Sequence, residues 1–173
     1  MNETIQNLME RRSVRAYKAE QITEQELEII LQAGMFAPSG HGSQSAKMVV
    51  IQKPELIQKL SKMNAAILGT ASDPFYGAPT VVLVLADRDC STWCEDGALV
   101  MGNLMNAAHA IGVDSCWINR ARQEFESAEG KQLLAEWGIK GNYAGIGHCL
   151  LGYRVGGYPK AAPRKSDFVV YVR

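Results

Sequence analysis

The chain has 173 residues, enough for one domain with its own core, with 47% hydrophobic and 21% charged residues. It carries 18 basic and 18 acidic side chains, so the formal net charge is zero. That balance argues against general nucleic-acid binding, which depends on a wide basic excess. Met1 to Gln21 is charged and lacks an apolar core, so it does not read as a signal peptide. No apolar run approaches the roughly 20 residues of a membrane helix. The expectation is a cytoplasmic protein that binds neither nucleic acid nor membrane. Four cysteines occur, Cys90, Cys94, Cys116 and Cys149. They lack the second pair or the matched histidine spacing of a structural zinc site, and they read as free thiols with no metal.

In chain order, Thr4 to Glu10 reads as a short helix with Ile5, Leu8 and Met9 on one face. Its C-terminal end, where cations are favourable, delivers Arg11-Arg12-Ser13-Val14-Arg15. These five residues hold three guanidinium groups and a hydroxyl. Arginine binds phosphate by paired hydrogen bonds and serine adds a compact donor, which points to a phosphate-bearing small molecule. A solvated basic turn is the other reading. Thr23 and Glu26 form a capping box, so a helix starts near Glu24. Leu27, Ile30, Leu31 and Gly34 form its buried face, and Pro38 stops it. The stretch Ala37 to Gln44 is small and turn-rich. Its glycines would let backbone amides approach a ligand, or it is a plain helix-to-strand loop.

Met48 to Ile51 reads as a buried strand. Pro54 opens a helix whose apolar stripe is Leu56, Ile57 and Leu60. Asn64 to Gly77 is mixed in composition and reads as a mobile connection containing Phe75 and Tyr76. Pro79 to Ala86 is apolar in succession and should be central in its sheet. Glu95 to Ile111 reads as a long helix rich in Gly and Ala, either the domain's central helix or part of a subunit interface. Ser115 to Ile118 reads as a short strand that leads into Asn119-Arg120. A helix from about Phe125 to Trp137 and a strand from Gly145 to Tyr153 follow. After an irregular tail, Phe168 to Val172 reads as a last strand, pairing at a sheet edge in the same or another subunit. The order predicts one α+β domain over 1–173.

No nucleophile elbow, HExxH helix, Walker loop or dinucleotide fingerprint is present. A bound phosphate must therefore be held by side chains. The candidates are Arg11, Arg12 and Arg15 at one end and Arg164 and Lys165 at the other. They converge only if the termini meet within the domain or across a dimer.

At this point the motifs resemble a known family. Arg11 to Arg15, Ala37-Pro38-Ser39-Gly40, Ser43-Gln44, Gly77-Ala78-Pro79, the helix from Glu95, Gly112 with Ser115-Cys116-Trp117-Ile118, Gly152-Tyr153 and Pro163-Arg164-Lys165 occur in the order seen in nitroreductases. The resemblance implies a nitroreductase-like α/β sandwich, with a central, mostly antiparallel sheet flanked by helices. It also implies a homodimer with C-terminal strand exchange. FMN, bound non-covalently between subunits, would take a hydride from NADH or NADPH. It would then reduce nitroaromatic, quinone-like or other electron-poor small molecules by a ping-pong mechanism. By the same resemblance Arg11, Ser13 and Arg15 hold the phosphate and ribityl chain, with Arg12 near the ring. Arg164 and Lys165 add phosphate contacts. Pro38, Ser39, Gly40, Gly42 and Ser43 lie on the flavin from the partner subunit, and Trp117, Ile118, Asn119 and Arg120 pass the ring. No side chain is given a catalytic role, because the flavin carries the chemistry. The chain departs from many relatives in three places. Gly42 replaces an Asn, Ser45-Ala46 replaces a Pro-Trp, and Asn119-Arg120 replaces a Gly-Gly pair. The long Arg120 would narrow the pocket, pair with an anionic substrate or favour NADPH. Two other functions fit the residues: an FMN-binding carrier or regulator without turnover, and a thiol redox protein using Cys90 and Cys94.

Overall fold

A computed structural model describes all 173 residues. Four antiparallel strands form one sheet: β1 (Ala46–Ile51), β2 (Thr80–Asp87), β3 (Asp114–Ile118) and β4 (Tyr143–Gly152), in the order β1-β2-β4-β3. The helices are α1 (Glu3–Glu10), α2 (Glu24–Met35), α3 (Pro54–Leu68), α4 (Trp93–Ala110), α5 (Ala121–Glu126) and α6 (Ala128–Glu136).

The sheet divides the interior into two layers. Along β2, Val81, Leu83 and Leu85 face the layer that holds Leu60 of α3, Phe125 of α5 and Leu133 of α6. Val82, Val84 and Ala86 face the other, with Ile30 of α2 and Met101 and Leu104 of α4. Every one of these strand residues is 0% exposed. Burying each Val or Leu contributes about 1.5–3 kcal/mol, so β2 is driven to the centre from both sides, as its unbroken apolar run predicts.

Several expectations are corrected. Met48 to Ile51 is not a buried strand. β1 lies at an edge of the sheet, and of its residues only Ile51 is buried. Asn64 to Gly77 is not a mobile connection. Its first five residues are the last turns of α3, which ends in left-handed Gly69. The rest is a turn gathered by Asp73, whose carboxylate accepts from Ser61 Oγ at 2.5 Å and from the amides of Phe75 and Gly77, each at 2.8 Å. Phe75 is 1% exposed and belongs to the core. The single helix expected from Phe125 to Trp137 is two helices broken at Ser127, whose hydroxyl accepts from Gly130 N–H at 3.0 Å and starts α6. The break lets α6 fold back until a Cβ on Gly130 would lie 2.0 Å from the Glu124 carbonyl. Phe168 to Val172 forms no strand within the chain, and all five residues are exposed.

The capping box is present: Thr23 and Glu26 each bond the other's backbone amide. Tyr153 adds a hydrogen bond to the same Glu26 carboxylate at 2.7 Å, tying the start of α2 to the end of β4. Gly97 lets α4 settle on β4, since a Cβ there would stand 2.4 Å from Ile146 Cγ1. Gly102, one and a half turns on, has nothing within 4 Å. Gly97→Ala should therefore cost about 1–3 kcal/mol through overpacking, with a lower urea midpoint and an unchanged m-value. Gly102→Ala should cost far less in the same titration.

Candidate functional site

The arginine segment leaves α1 and lies against the outer edge of β3. Ser13 forms a parallel bridge with Ser115, and Val14 N–H donates to the Ser115 carbonyl at 3.0 Å. Val14 is 3% exposed and anchors the segment in the core. The chain then crosses to β4, where Tyr17 bridges Arg154.

Arg11, Ser13 and Arg15 surround the buried Cys116 thiol. Burial raises that thiol above its usual value, while the Arg15 charge, the Ser13 hydroxyl and the Arg11 charge act against the rise. None of the three arginines makes an ion pair within the chain. Arg11 Nη1 is buried without a hydrogen-bond partner, and so is the Ser115 hydroxyl. A buried guanidinium nitrogen without an acceptor is costly unless a ligand supplies one.

Arg12 behaves differently. Its Nη1 donates to the carbonyls of Met9 and Arg11, each at 2.7 Å, and so caps α1. Its amide donates to the Tyr158 hydroxyl at 2.7 Å. That hydroxyl lies 3.2 Å from His109 Nδ1, with the two rings stacked 5.5 Å apart. Burial lowers the His109 value. Arg12 Nη1 is committed to helix carbonyls, while its Nε, like Arg11 Nη1, is buried without a hydrogen-bond partner. The Tyr158 hydroxyl thus links the arginine segment to the start of the tail. Arg164 and Lys165 lie further along that tail. They are exposed and make no hydrogen bond or ion pair with Arg11 to Arg15.

The loop between α2 and β1 is held by a residue the sequence reading did not single out. Asp96, 2% exposed near the start of α4, accepts from Gly40 N–H at 2.9 Å, Ser45 Oγ at 2.6 Å, and Ser43 Oγ and Thr92 Oγ1 each at 3.2 Å. Gly40 has to be glycine, because its Cβ would lie 2.2 Å from Thr92 Oγ1. His41, Gly42 and Gln44 all take positive φ, so the loop is a tight single turn. Pro38, Ser39, Gly40, Gly42 and Ser43 are therefore together and fixed, at some distance along the chain from the arginine segment. Burial by itself would raise the Asp96 carboxyl. Hydrogen bonds from Ser45, Gly40, Thr92 and Ser43 outweigh it and hold the group below the usual range.

At the end of β3, Trp117 and Ile118 turn their side chains into opposite core layers. The Trp117 ring lies on Gly147, where a Cβ would be 2.3 Å from its Nε1. Ile118 is 5% exposed. What this strand end offers a ligand is backbone, together with Asn119 and Arg120. Arg120 has φ of 80°, and its Nε donates to Asn64 Oδ1 at 2.9 Å. Cys90 and Cys94 are both free, the first half-buried and the second exposed.

An antiparallel sheet between two helical layers, with unpaired arginines docked at its edge, defines an α+β protein with a ready anion site. Residues 8–153 match the sequence profile of the Nitroreductase family. The chain belongs to that family. A sequence from Archaeoglobus fulgidus, provisionally named an NADH dehydrogenase/NAD(P)H nitroreductase, is 28% identical over 158 residues, covering 88% of this chain and 86% of its own. A nitroreductase from Bacteroides fragilis, solved with bound FMN, superposes with a TM-score of 0.91 at 27% identity over 100% of both chains. Another from Desulfitobacterium hafniense, also with bound FMN, gives 0.89 at 26% identity, again over 100% of both.

Replacing Asp96 by Asn leaves several buried donors facing an amide. Asp96→Asn should lower stability by about 2–4 kcal/mol at pH 7. The folded carboxyl lies below the unfolded one, so its stabilisation is present above the unfolded Asp value near pH 4 and fades as pH falls through the folded value. Urea titrations at pH 7 and pH 3 should show the gap between wild type and variant narrowing in acid.

Proposed function

We propose that the protein is an FMN-dependent oxidoreductase that draws electrons from NADH or NADPH and reduces nitroaromatic, quinone-like or other electron-poor small molecules. The observation that carries this reading is the Arg11, Ser13 and Arg15 set. It is unpaired within the chain, it includes a buried guanidinium nitrogen without an acceptor, and it is docked at a sheet edge in a nitroreductase-family fold. FMN, when bound, supplies the hydride chemistry.

Arg11, Ser13 and Arg15 hold the cofactor's phosphate by charge-assisted hydrogen bonds. Buried Val14 fixes their height at the sheet edge. Trp117 and Ile118 contribute backbone, and Asn119 and Arg120 close the far end of β3. Pro38, Ser39, Gly40, Gly42 and Ser43 approach from a second subunit, as does the pair Arg164 and Lys165 once the tail has crossed. Donor and acceptor would use one site in turn, by a ping-pong mechanism, with FMN supplying the redox chemistry when bound. The reaction belongs to the cytoplasm, where nicotinamide reductants and free thiols coexist.

A homodimer is supported by apolar side chains left in the open. Ile5, Leu8 and Met9 on α1, Met35 and Phe36 after α2, and Phe168 to Val172 are all exposed, between 45% and 95%. Patches of this kind on a globular chain mark interfaces. The tail's uncovered run of β-branched and aromatic residues, Phe168 to Val172, suits strand exchange with a second copy.

The purified protein should be yellow, and NADH or NADPH should bleach it without oxygen. A protein that stays yellow with both nucleotides would be a carrier, and a colourless one that takes up no added FMN would overturn the proposal. Arg11→Ala and Arg15→Ala should each weaken FMN binding by about tenfold or more, measured by flavin fluorescence quenching. Light scattering should give the mass of two chains, and deleting residues 159–173 should shift it toward one.

A further inference from the structure

We propose that Arg120 is a preset cation through which this site selects substrates bearing a small oxyanion, a carboxylate or a phosphate. The inference rests on the FMN-dependent reading above, because it assigns a substrate class to that same site.

Arg120 occupies the turn between β3 and α5 with φ of 80°, a left-handed conformation that a long side chain keeps only where its surroundings impose it. The restraint is a chain of buried polar groups. Arg120 Nε donates to Asn64 Oδ1 at 2.9 Å. Asn64 is 0% exposed, and its amide nitrogen donates to the Asn119 carbonyl at 2.8 Å and to Glu124 Oε1. The second Glu124 oxygen lies 2.8 Å from His148 Nε2, and both of those side chains are 0% exposed. His148 belongs to β4 and is walled by Phe75 and Phe125, with ring centroids 4.9 and 6.3 Å away. The guanidinium is thus tied by its inner nitrogen to an anchor that reaches the middle of the sheet. An arginine fixed in advance has already lost much of the rotamer freedom that binding would otherwise cost.

Its charge is not used inside the chain. The ion pairs engage Lys59, Arg88, His148 and Arg154, and none involves Arg120. The nearby acid, Glu124, is occupied by His148 and Asn64, and Asn64 stands between it and the guanidinium. Nε has a partner, whereas Nη1 and Nη2 make no hydrogen bond within the protein. They form a free fork of the shape that matches a carboxylate or phosphate. A structural arginine would be neutralised by an acid, and an ordinary surface arginine would not be fixed from below.

The location suits a substrate. At about 3.3 Å per strand residue, Asn119 lies about 13 Å along β3 from Ser115, where the Arg11 to Arg15 segment docks. A ligand held at that segment and lying along β3 ends at this turn. Two molecules could bring the oxyanion there: an acceptor with a carboxylate, or NADPH with its additional phosphate.

The test compares flavin-loaded wild type with Arg120→Gly, which the left-handed backbone tolerates, and with Arg120→Lys. Calorimetry measures binding of 4-nitrobenzoate and of its neutral analogue 4-nitrobenzamide, and steady-state kinetics gives KM for NADPH and for NADH. Arg120→Gly should lower the preference for the charged member of one pair by about tenfold, and Arg120→Lys should restore part of it. A loss confined to nitrobenzoate assigns the oxyanion to the acceptor; one confined to NADPH assigns it to the nucleotide. Equal changes for charged and neutral members of both pairs, with FMN still bound and reducible, overturn this inference and leave the FMN reading standing. Failure of the wild type to bind FMN overturns both.

Discussion

The structure depends on one constraint, the burial of β2 on both faces. Six consecutive residues, Val81 to Ala86, are 0% exposed and alternate between two separate apolar clusters. A strand of this kind needs a partner on each side to satisfy its amides and carbonyls, and β1 and β4 supply them. It also needs a layer of helices over each face. The two layers follow: α2 and α4 on one side, α3, α5 and α6 on the other. β3 is then forced to an outer position, next to β4, with its free edge open to the arginine segment.

Each part of the candidate site is held by a buried polar group reached from far away in the chain. Asp96 gathers the Gly40 to Ser45 loop onto the start of α4. Glu124, with His148 and Asn64, fixes the Asn119-Arg120 turn. Tyr158 joins the arginine segment to the tail through the Arg12 amide and His109. Such groups are costly to bury unless hydrogen-bonded, and apart from His148 Nδ1, which has no partner, they are, so they specify position as well as stability. The result is rigid loops on a rigid sheet, a suitable support for a cofactor that performs the chemistry itself. The surface between them remains unfinished in one chain. The apolar ends of α1, α2 and the tail are uncovered.

Much of this was legible in the residues. The capping box at Thr23 and Glu26, proline at the start of α3, and the apolar run of β2 are local signals, and each produced the element it predicts. The clustered arginines and the ordered motifs pointed to the right family. What went astray had non-local causes. Met48 to Ile51 looks like a core strand, yet strand order put it at an edge. Phe75 sits in a segment of loop composition, and the Asp73 turn delivers it to the core. Ser127, a preferred N-cap residue type, is the local mark of the break, but the helix pattern continues through it. Asp96 carried one faint signal, an acid at the head of an apolar helix; apart from Thr92, its partners lie 51 to 56 residues away.

By itself the sequence determined the class of fold, the central strand, the family and the cationic character of one edge. Those properties come from composition, period and short-range motifs, which act within a few residues and do not need the rest of the chain. Tertiary structure decided which arginine is free and which caps a helix, which loop residues are fixed by Asp96, and how Arg120 is held with its charge unpaired. Apart from the local Arg12 cap, these outcomes depend on contacts between residues 24 to 146 positions apart, and such contacts exist only once the sheet has brought the segments together.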